Sequence, residues 1–279
     1  MFFSLLLATL DRSKEIKECL NSLIEQEYKN FEVIIIDQSE NKFTEEAVKE
    51  FSTLCIRYYH VKFRGLSKAR NFGLRYANGS YCCLLDDDAI YASDYLKIAK
   101  DFIDKYDDTI LSGVILDIED HETPFINYHN YRNKKILSAL DITKYCPSAA
   151  LVFPTKIIES CGNFNERLGV GNAFAAGEET DFLLRAYDVG YKILFTNELI
   201  VYHPIKTSSK LELVYNHYLG KGALFKIDFV ERKKLRLLNL FAKNTVGMFF
   251  KAYILDRKNK KMYFIRKKGF IDGFKTYEL

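Results

Sequence analysis

A chain of 279 residues with 48% hydrophobic and 28% charged residues can bury a sizeable core, which excludes a disordered protein and leads us to expect one main domain with an appendage. The net charge of +4 hides a division: the stretch from Ile205 to Leu279 carries 18 basic and 6 acidic residues, whereas the first 204 residues are acidic by 8 charges. No apolar run approaches the roughly 18 to 20 residues of a spanning helix, and residues 2–8 are short, lack a basic lead-in and run into Asp11, so the expected location is cytoplasmic.

Residues 2–8 read as a buried strand, and Ser13 is placed to cap a helix with Ile16, Cys19, Leu20, Leu23 and Ile24 on its apolar face. A second strand over 31–36, a helix over 44–51 and a third strand over 54–59 follow. A helix over 67–77 stops at Asn78-Gly79, and 81–85 is the fourth strand. Ser93 opens a helix to about residue 106, and 110–118 is extended. Residues 119–144 have no clear period and are expected to be loop with short helical pieces. Strand-like 146–153 leads to Pro154 at the start of a short helix ending at Gly162; 178–189 is helical, and 191–202 is extended. Strands alternating with helices predict a mainly parallel sheet covered by helices. The six cysteines form no C-x-x-C pair and lie mostly in apolar segments, which argues against disulfides and a zinc site.

Ligands of open α/β sheets bind beyond the carboxyl ends of the strands, and Asp37 and the triplet Asp86-Asp87-Asp88 fall at such ends. Adjacent carboxylates repel one another, a cost that is tolerable if they hold a divalent cation; hard oxygen donors suit Mg²⁺ or Mn²⁺. In extended chain Asp86 and Asp88 would face the same way. The plainer alternative is a solvated acidic turn before the helix at Ser93.

Four segments in this order, Ala8-Thr9-Leu10-Asp11-Arg12, Phe31-Glu32-Val33-Ile34-Ile35-Ile36-Asp37, Gly65-Leu66-Ser67-Lys68-Ala69-Arg70-Asn71-Phe72-Gly73 and Leu85-Asp86-Asp87-Asp88, resemble the successive motifs of family 2 glycosyltransferases. Gly177-Glu178-Glu179-Thr180-Asp181-Phe182-Leu183-Leu184-Arg185 resembles the later acidic motif of that family. The resemblance implies an α/β, Rossmann-like nucleotide-diphospho-sugar transferase fold of the GT-A type over residues 1–204, with a nucleotide-sugar half at 1–110 and an acceptor half at 111–204. It implies an inverting, metal-dependent hexosyltransferase that moves a sugar from a UDP-sugar or dTDP-sugar to a saccharide hydroxyl, in capsule, O-antigen or cell-wall glycan synthesis of bacteria. Carried onto this sequence, Thr9, Asp37 and Gln38 line the nucleobase pocket, and Arg70, Asp86 and Asp87 lie against the nucleotide-sugar. Asp88 is the principal ligand of Mn²⁺ or Mg²⁺, with Asp86 and His203 beside it. The family commonly has a second acid where Gln38 stands; an amide still offers a donor and an acceptor to an imide edge.

Inverting transfer needs a base for the acceptor proton. Glu179 holds the place of that base and Glu178 is its neighbour, although first-turn acids are favourable on any helix. Arg185, one turn after Asp181, is expected as an intrahelical partner.

Residues 205–279 read as a basic amphipathic helical segment, with Leu235, Leu238, Phe241, Ala242, Val246, Phe249 and Tyr253 at helical spacing. It can lie on an anionic membrane, which would place the protein peripherally at the inner face with a lipid-linked acceptor, or it can pack on the catalytic domain. Its aromatics do not form a single-strand platform, so nucleic acid is not an expected partner. Two other functions remain open on sequence: a sugar nucleotidyltransferase, against which the absence of glycine from Thr9-Leu10-Asp11-Arg12-Ser13 argues, and a non-catalytic saccharide-assembly protein on the same fold.

Overall fold

The computed structural model describes residues 1–126, 134–205 and 211–278, and only the backbone of 254, 255 and 257. It separates into two compact units, one of Met1–Arg64, Lys68–Phe164 and Phe182–Lys206, the other of Gly65–Ser67, Asn165–Asp181 and Thr207–Leu279.

The chain begins with β1 (Phe3–Thr9), α1 (Glu15–Ile24), β2 (Phe31–Asp37), α2 (Phe43–Val48), β3 (Ile56–His60), α3 (Leu66–Leu74), β4 (Tyr81–Asp86), β5 (Ile90–Tyr91) and α4 (Tyr95–Lys105). It continues through β6 (Ile110–Asp117), β7 (Lys135–Ile136), α5 (Ala139–Tyr145), β8 (Leu151–Pro154), α6 (Ile157–Cys161), α7 (Glu178–Asp188) and β9 (Ile193–His203). The described strands form one sheet in the order β3-β2-β1-β4-β8-β6-β9-β5, with β7 on β9. The long ladders β1–β2, β1–β4, β2–β3 and β6–β9 are parallel, whereas the antiparallel ladders comprise two or three residue pairs each.

Strand alternation sorts the core. Phe3, Leu5 and Leu7 of β1 join Val33 and Ile35 of β2 and Cys83 and Leu85 of β4 against α1, α2 and α4. Leu6 and Ile36, on the other face, close on α3 at Gly73. Continuous apolar runs such as 33–36 are therefore buried on both sides of the sheet. At the amino edge of the sheet the buried Glu32 accepts from Ser4 Oγ at 2.6 Å and from the Asn78 amide at 2.8 Å, and pairs with Arg57 at 2.7 Å.

Several expectations need correction. Ser13 does not cap α1: Lys14 stands at its N-cap, with no side-chain cap bond. The strand expected over 146–153 is short because Ser148–Ala150 makes a 3₁₀ turn first. Pro154 ends β8 instead of starting a helix, and it opposes Tyr81 in an antiparallel ladder. The loop with short helical pieces expected at 119–144 has such a piece in α5, closed by a capping box between Ser138 and Asp141, and also holds the short strand β7; residues 127–133 lie outside the described residues.

The second unit contains α8 (Leu211–Lys226), α9 (Leu238–Ala242), α10 (Met248–Phe250) and α11 (Lys260–Thr276), with π-helical turns at Ile227–Glu231, Lys243–Gly247 and Lys251–Leu255. Helices α8 and α11 meet backbone to backbone: a Cβ on Gly273 would stand 1.9 Å from the Leu219 carbonyl oxygen. Arg232 pairs with the buried Asp181, and Arg236 donates from Nε to both oxygens of the buried Asp228 at 3.0 Å.

The apolar stripe read at 235–253 is not the buried face. Leu235, Leu238, Phe241, Val246, Phe249 and Tyr253 are exposed, whereas Leu237, Asn244, Met248 and Ala252 are buried. Each π turn spends an extra residue and so rotates the face presented to the core. No described helix is long and apolar enough to cross a membrane.

Candidate active site

Parallel register brings the first set of candidates to one edge. Thr9 pairs with Asp37 across β1 and β2, and Ala8 pairs with Asp86 across β1 and β4, so all three strands end together. His203 closes β9 opposite Asp117 of β6; β6 and β4 both run antiparallel to β8, so His203 lies at the same edge of the sheet.

Asp37 is fully buried. Its Oδ1 accepts from the Ser39 amide at 2.9 Å and from Ser39 Oγ at 2.5 Å, and its Oδ2 accepts from the Tyr58 hydroxyl at 2.5 Å. Burial, then the bond to Asp37, pushes the Tyr58 phenol well above its ordinary value. Beside Asp37, Gln38 Oε1 is a buried acceptor with no hydrogen-bond partner among the described residues.

The triplet is divided. Strand β4 stops at Asp86, and the Ala89 amide turns back onto the Asp86 carbonyl at 3.1 Å, so the alternation of an extended strand does not reach Asp88. Asp86 faces Arg70, at 3.3 Å from its guanidinium. Asp87 and Asp88 instead share Arg12, whose Nη1 lies 2.9 Å from Asp87 Oδ1 and 2.7 Å from Asp88 Oδ2. Burial pushes the Asp87 carboxyl up to about 6; Thr9 and Arg12 oppose that rise, while Asp88 and Asp86 add to it.

Arg12 joins these acids although the motif resemblance assigns it no role. Its signal was position: an arginine just past the carboxyl end of β1, in a chain whose next strand but two ends in three acids. The turn that aims it contains Asp11 at φ 55°, with the Asp11 amide donating to Ser39 Oγ at 2.8 Å. Aspartate tolerates this left-handed conformation better than most side chains.

His203 reaches Asp88 from β9, with Nε2 at 2.9 Å from Oδ1. Its Nδ1 is 3.0 Å from the Pro204 carbonyl, an acceptor, which assigns the proton to Nδ1. A neutral ring would then turn its Nε2 lone pair toward a carboxylate, so this geometry calls for a positive charge between them. Burial by itself would lower the His203 pKa, but the bond to Asp88 and the field of Asp88 and Asp86 hold it above the ordinary imidazole value. A divalent cation meets the same need as that proton, and carboxylate oxygen with imidazole nitrogen suits Mn²⁺ or Mg²⁺. The described residues converge no group of three such ligands; the pair Asp88 and His203 therefore fits an open site that leaves positions for water and phosphate oxygens.

The second set of candidates begins α7. The Asp181 amide donates to the Gly177 carbonyl at 2.8 Å, starting the helix at the paired glutamates. Glu178 is 5% exposed, with its carboxyl beside Gly169 and Ser67. Glu179 is only partly buried, with Thr180 Oγ1 at 3.4 Å. Arg185 donates from Nη1 to the Cys161 and Gly162 carbonyls and from Nη2 to the Asn163 carbonyl at 2.8 Å, ending α6 and its loop.

A family model described as glycosyl transferase family 2 matches residues 4–160. The glycosyltransferase GlyA of Streptococcus pneumoniae serotype 4 is 26% identical over 205 residues, covering 70% of this chain and 29% of GlyA, so the chain spans under a third of that relative. The crystal structure of Staphylococcus aureus TarS 1-349 in complex with UDP superposes with a TM-score of 0.62 at 20% identity, covering all of this chain and 90% of that one. The mannosyltransferase PcManGT of Pyrobaculum calidifontis, solved with GDP-Man and Mn²⁺, gives a TM-score of 0.67 at 15% identity over 99% of this chain and 88% of that one. At such identities the two structures establish the GT-A fold.

Proposed function

The chain belongs to glycosyl transferase family 2, and from that premise we propose that it is an inverting, metal-dependent enzyme transferring a sugar from a UDP-sugar, or a dTDP-sugar, to a saccharide hydroxyl during synthesis of a bacterial surface glycan. The observation that carries this reading is the carboxyl edge of the sheet, where Asp86, Asp87, Asp88 and His203 stand with Arg12 and Arg70 beyond Thr9 and Asp37.

Asp37 is held rigid by Ser39 and Tyr58, and the open acceptor on Gln38 Oε1 suits the imide N–H of uracil or thymine. Arg70 and Asp86 form a pair that can open, Arg70 to phosphate and Asp86 to ribose hydroxyls, since a guanidinium makes forked bonds to carboxylate and phosphate alike. Asp88 and His203 would hold Mn²⁺ or Mg²⁺, which when bound supplies a positive charge to the departing diphosphate. Arg12 adds its own positive charge at Asp87 and Asp88. Glu179 takes the acceptor proton; its partial exposure favours it over Glu178, which is buried beside Gly169. The exposed apolar stripe from Leu235 to Tyr253, among exposed Lys234, Lys243 and Lys251, supports peripheral attachment to an anionic membrane surface on the cytoplasmic side.

The test is transfer from UDP-sugars with Mn²⁺. Glu179→Gln keeps the shape and removes the base, so donor affinity should hold while transfer falls about 100-fold to 10,000-fold. If Glu178→Gln is the inactive variant instead, the base is misassigned by one residue. Release of pyrophosphate from a nucleoside triphosphate would point to a nucleotidyltransferase, and absence of all turnover with intact donor binding to a non-catalytic assembly protein.

A further inference from the structure

The second unit gathers Lys221, Lys243 and Arg266 about the Glu179 carboxylate. Helix α8 lies directly on the strand of chain that leads into α7: a Cβ on Gly220 would stand 2.4 Å from the Ala176 carbonyl oxygen, and one on Gly177 would stand 3.6 Å from Leu224 Cβ. That contact delivers Lys221, the next residue, to the start of α7. Burial, with Lys243 and Arg266 adding to it, pushes the Lys221 amine down to about 8, and Glu179 is the acid that opposes them.

Arg266 arrives from α11, where a Cβ on Gly269 would stand 2.5 Å from the Tyr215 carbonyl oxygen. Its guanidinium carbon lies 5.8 Å from the Tyr218 ring and the Lys221 amine 5.1 Å from the same ring, so the two cations flank one aromatic side chain. Arg266 Nε is buried and has no hydrogen-bond partner among the described residues. A buried donor left unmade is destabilising, and a ligand oxygen would relieve it. Elsewhere in this unit Arg232 and Arg236 face the buried carboxylates of Asp181 and Asp228, although Arg232 Nη1 likewise has no hydrogen-bond partner among the described residues.

We infer that the acceptor carries a phosphoryl group, and that Lys221 and Arg266, with Lys243 nearby, hold that group beside Glu179. Lys221 and Arg266 flank the same ring beside Glu179, and a phosphate monoester brings roughly 1.5 to 2 negative charges to such cations. Phosphate oxygens also supply the acceptors that a guanidinium fork lacks here. The inference rests on the reading of Glu179 as the base, because only then does the cation group adjoin the acceptor. The class of reaction that supplies this substrate is accordingly one that leaves a sugar or polyol esterified to phosphate.

The experiment uses the full chain with UDP and Mn²⁺ saturating, so that the donor site is filled, and measures binding of N-acetylglucosamine 1-phosphate, N-acetylglucosamine and inorganic phosphate by calorimetry. The glycosyl phosphate should bind at least about tenfold more tightly than either of the others, the usual worth of a charge-assisted pair. Arg266→Gln and Lys221→Met should each weaken it about tenfold or more, Arg266→Lys should recover part of the loss, and UDP affinity, which also reports the fold, should not change. Equal binding of the phosphorylated and plain sugars overturns the inference, as do wild-type affinities in both variants. Inorganic phosphate binding as tightly as the glycosyl phosphate also overturns it, leaving an anion site with no acceptor recognition. A parallel arm uses vesicles containing phosphatidylglycerol: if the variants lose vesicle binding and keep glycosyl phosphate affinity, the cations face lipid and the inference fails. Glu179→Gln separates the two readings, since normal turnover in that variant sinks the base, whereas its glycosyl phosphate affinity still reports on the cations.

Discussion

Two buried charge clusters in this protein are built from the same side chains to different ends. At the sheet edge, Arg12 meets Asp87 and Asp88, Arg70 meets Asp86 and His203 meets Asp88 at 2.7 to 3.3 Å, and Asp86 keeps part of its surface open. In the helical unit, Asp228 is fully buried and takes both oxygens to Arg236, while Arg232 closes on Asp181. The second cluster is balanced and bidentate, which makes it a fastener between turns of helix. The first rests on shared contacts and on a histidine that needs a positive charge beside its carboxylate, which is why we propose it as the ligand site. Arginine beside aspartate thus carries no functional meaning until stoichiometry and exposure are known.

Stability measurements should break this distinction if it is wrong. The largest effect is expected for Asp228→Ala, which leaves the Arg236 guanidinium buried without its carboxylate; breaking such a pair typically costs about 3 to 5 kcal/mol, read from chemical denaturation of the full chain. UDP affinity under folding conditions should survive that change.

Asp88→Asn should behave in the opposite way. It relieves repulsion within the triplet, so the unfolding free energy should stay within about 1 kcal/mol of the wild type, while Mn²⁺-dependent donor affinity is lost. Donor binding that still responds to Mn²⁺ in this variant would remove Asp88 from the metal site.

The smallest effect sharpens the scale. Lys17 and Glu50 make a 2.6 Å pair between exposed side chains. Lys17→Met should change stability by less than about 1 kcal/mol, since exposed pairs are weakened by solvent and side-chain entropy; a loss as large as that of Asp228→Ala would show that burial is not what separates the clusters.

The legible features were those carried by short-range pattern. Continuous apolar runs such as 33–36 and 81–85 announce strands covered on both faces, and the acids just after them stand at strand ends. Helices over 15–24 and 95–105 followed their apolar period. The errors came where a distant partner decides. Pro154 looked like a helix start but ends β8, because Tyr81 is its neighbour across the ladder. Ser13 looked like a cap, yet α1 starts with Lys14 at that position. The stripe at 235–253 was read at a strict helical period, and π turns moved the buried face to Leu237, Met248 and Ala252.

The sequence by itself determined the family, the α/β alternation and the identities of the acids, because motif order and hydrophobic period are properties of neighbours along the chain. Only the tertiary structure decided which charges meet. Arg12, in the turn after β1, and His203, at the end of β9, are far apart in sequence and reach Asp88 through sheet register. Lys221 and Arg266 flank one tyrosine because glycines let α8 and α11 touch. Charge pairing depends on distance in space, which falls off over a few ångströms and leaves no period in the chain to be read.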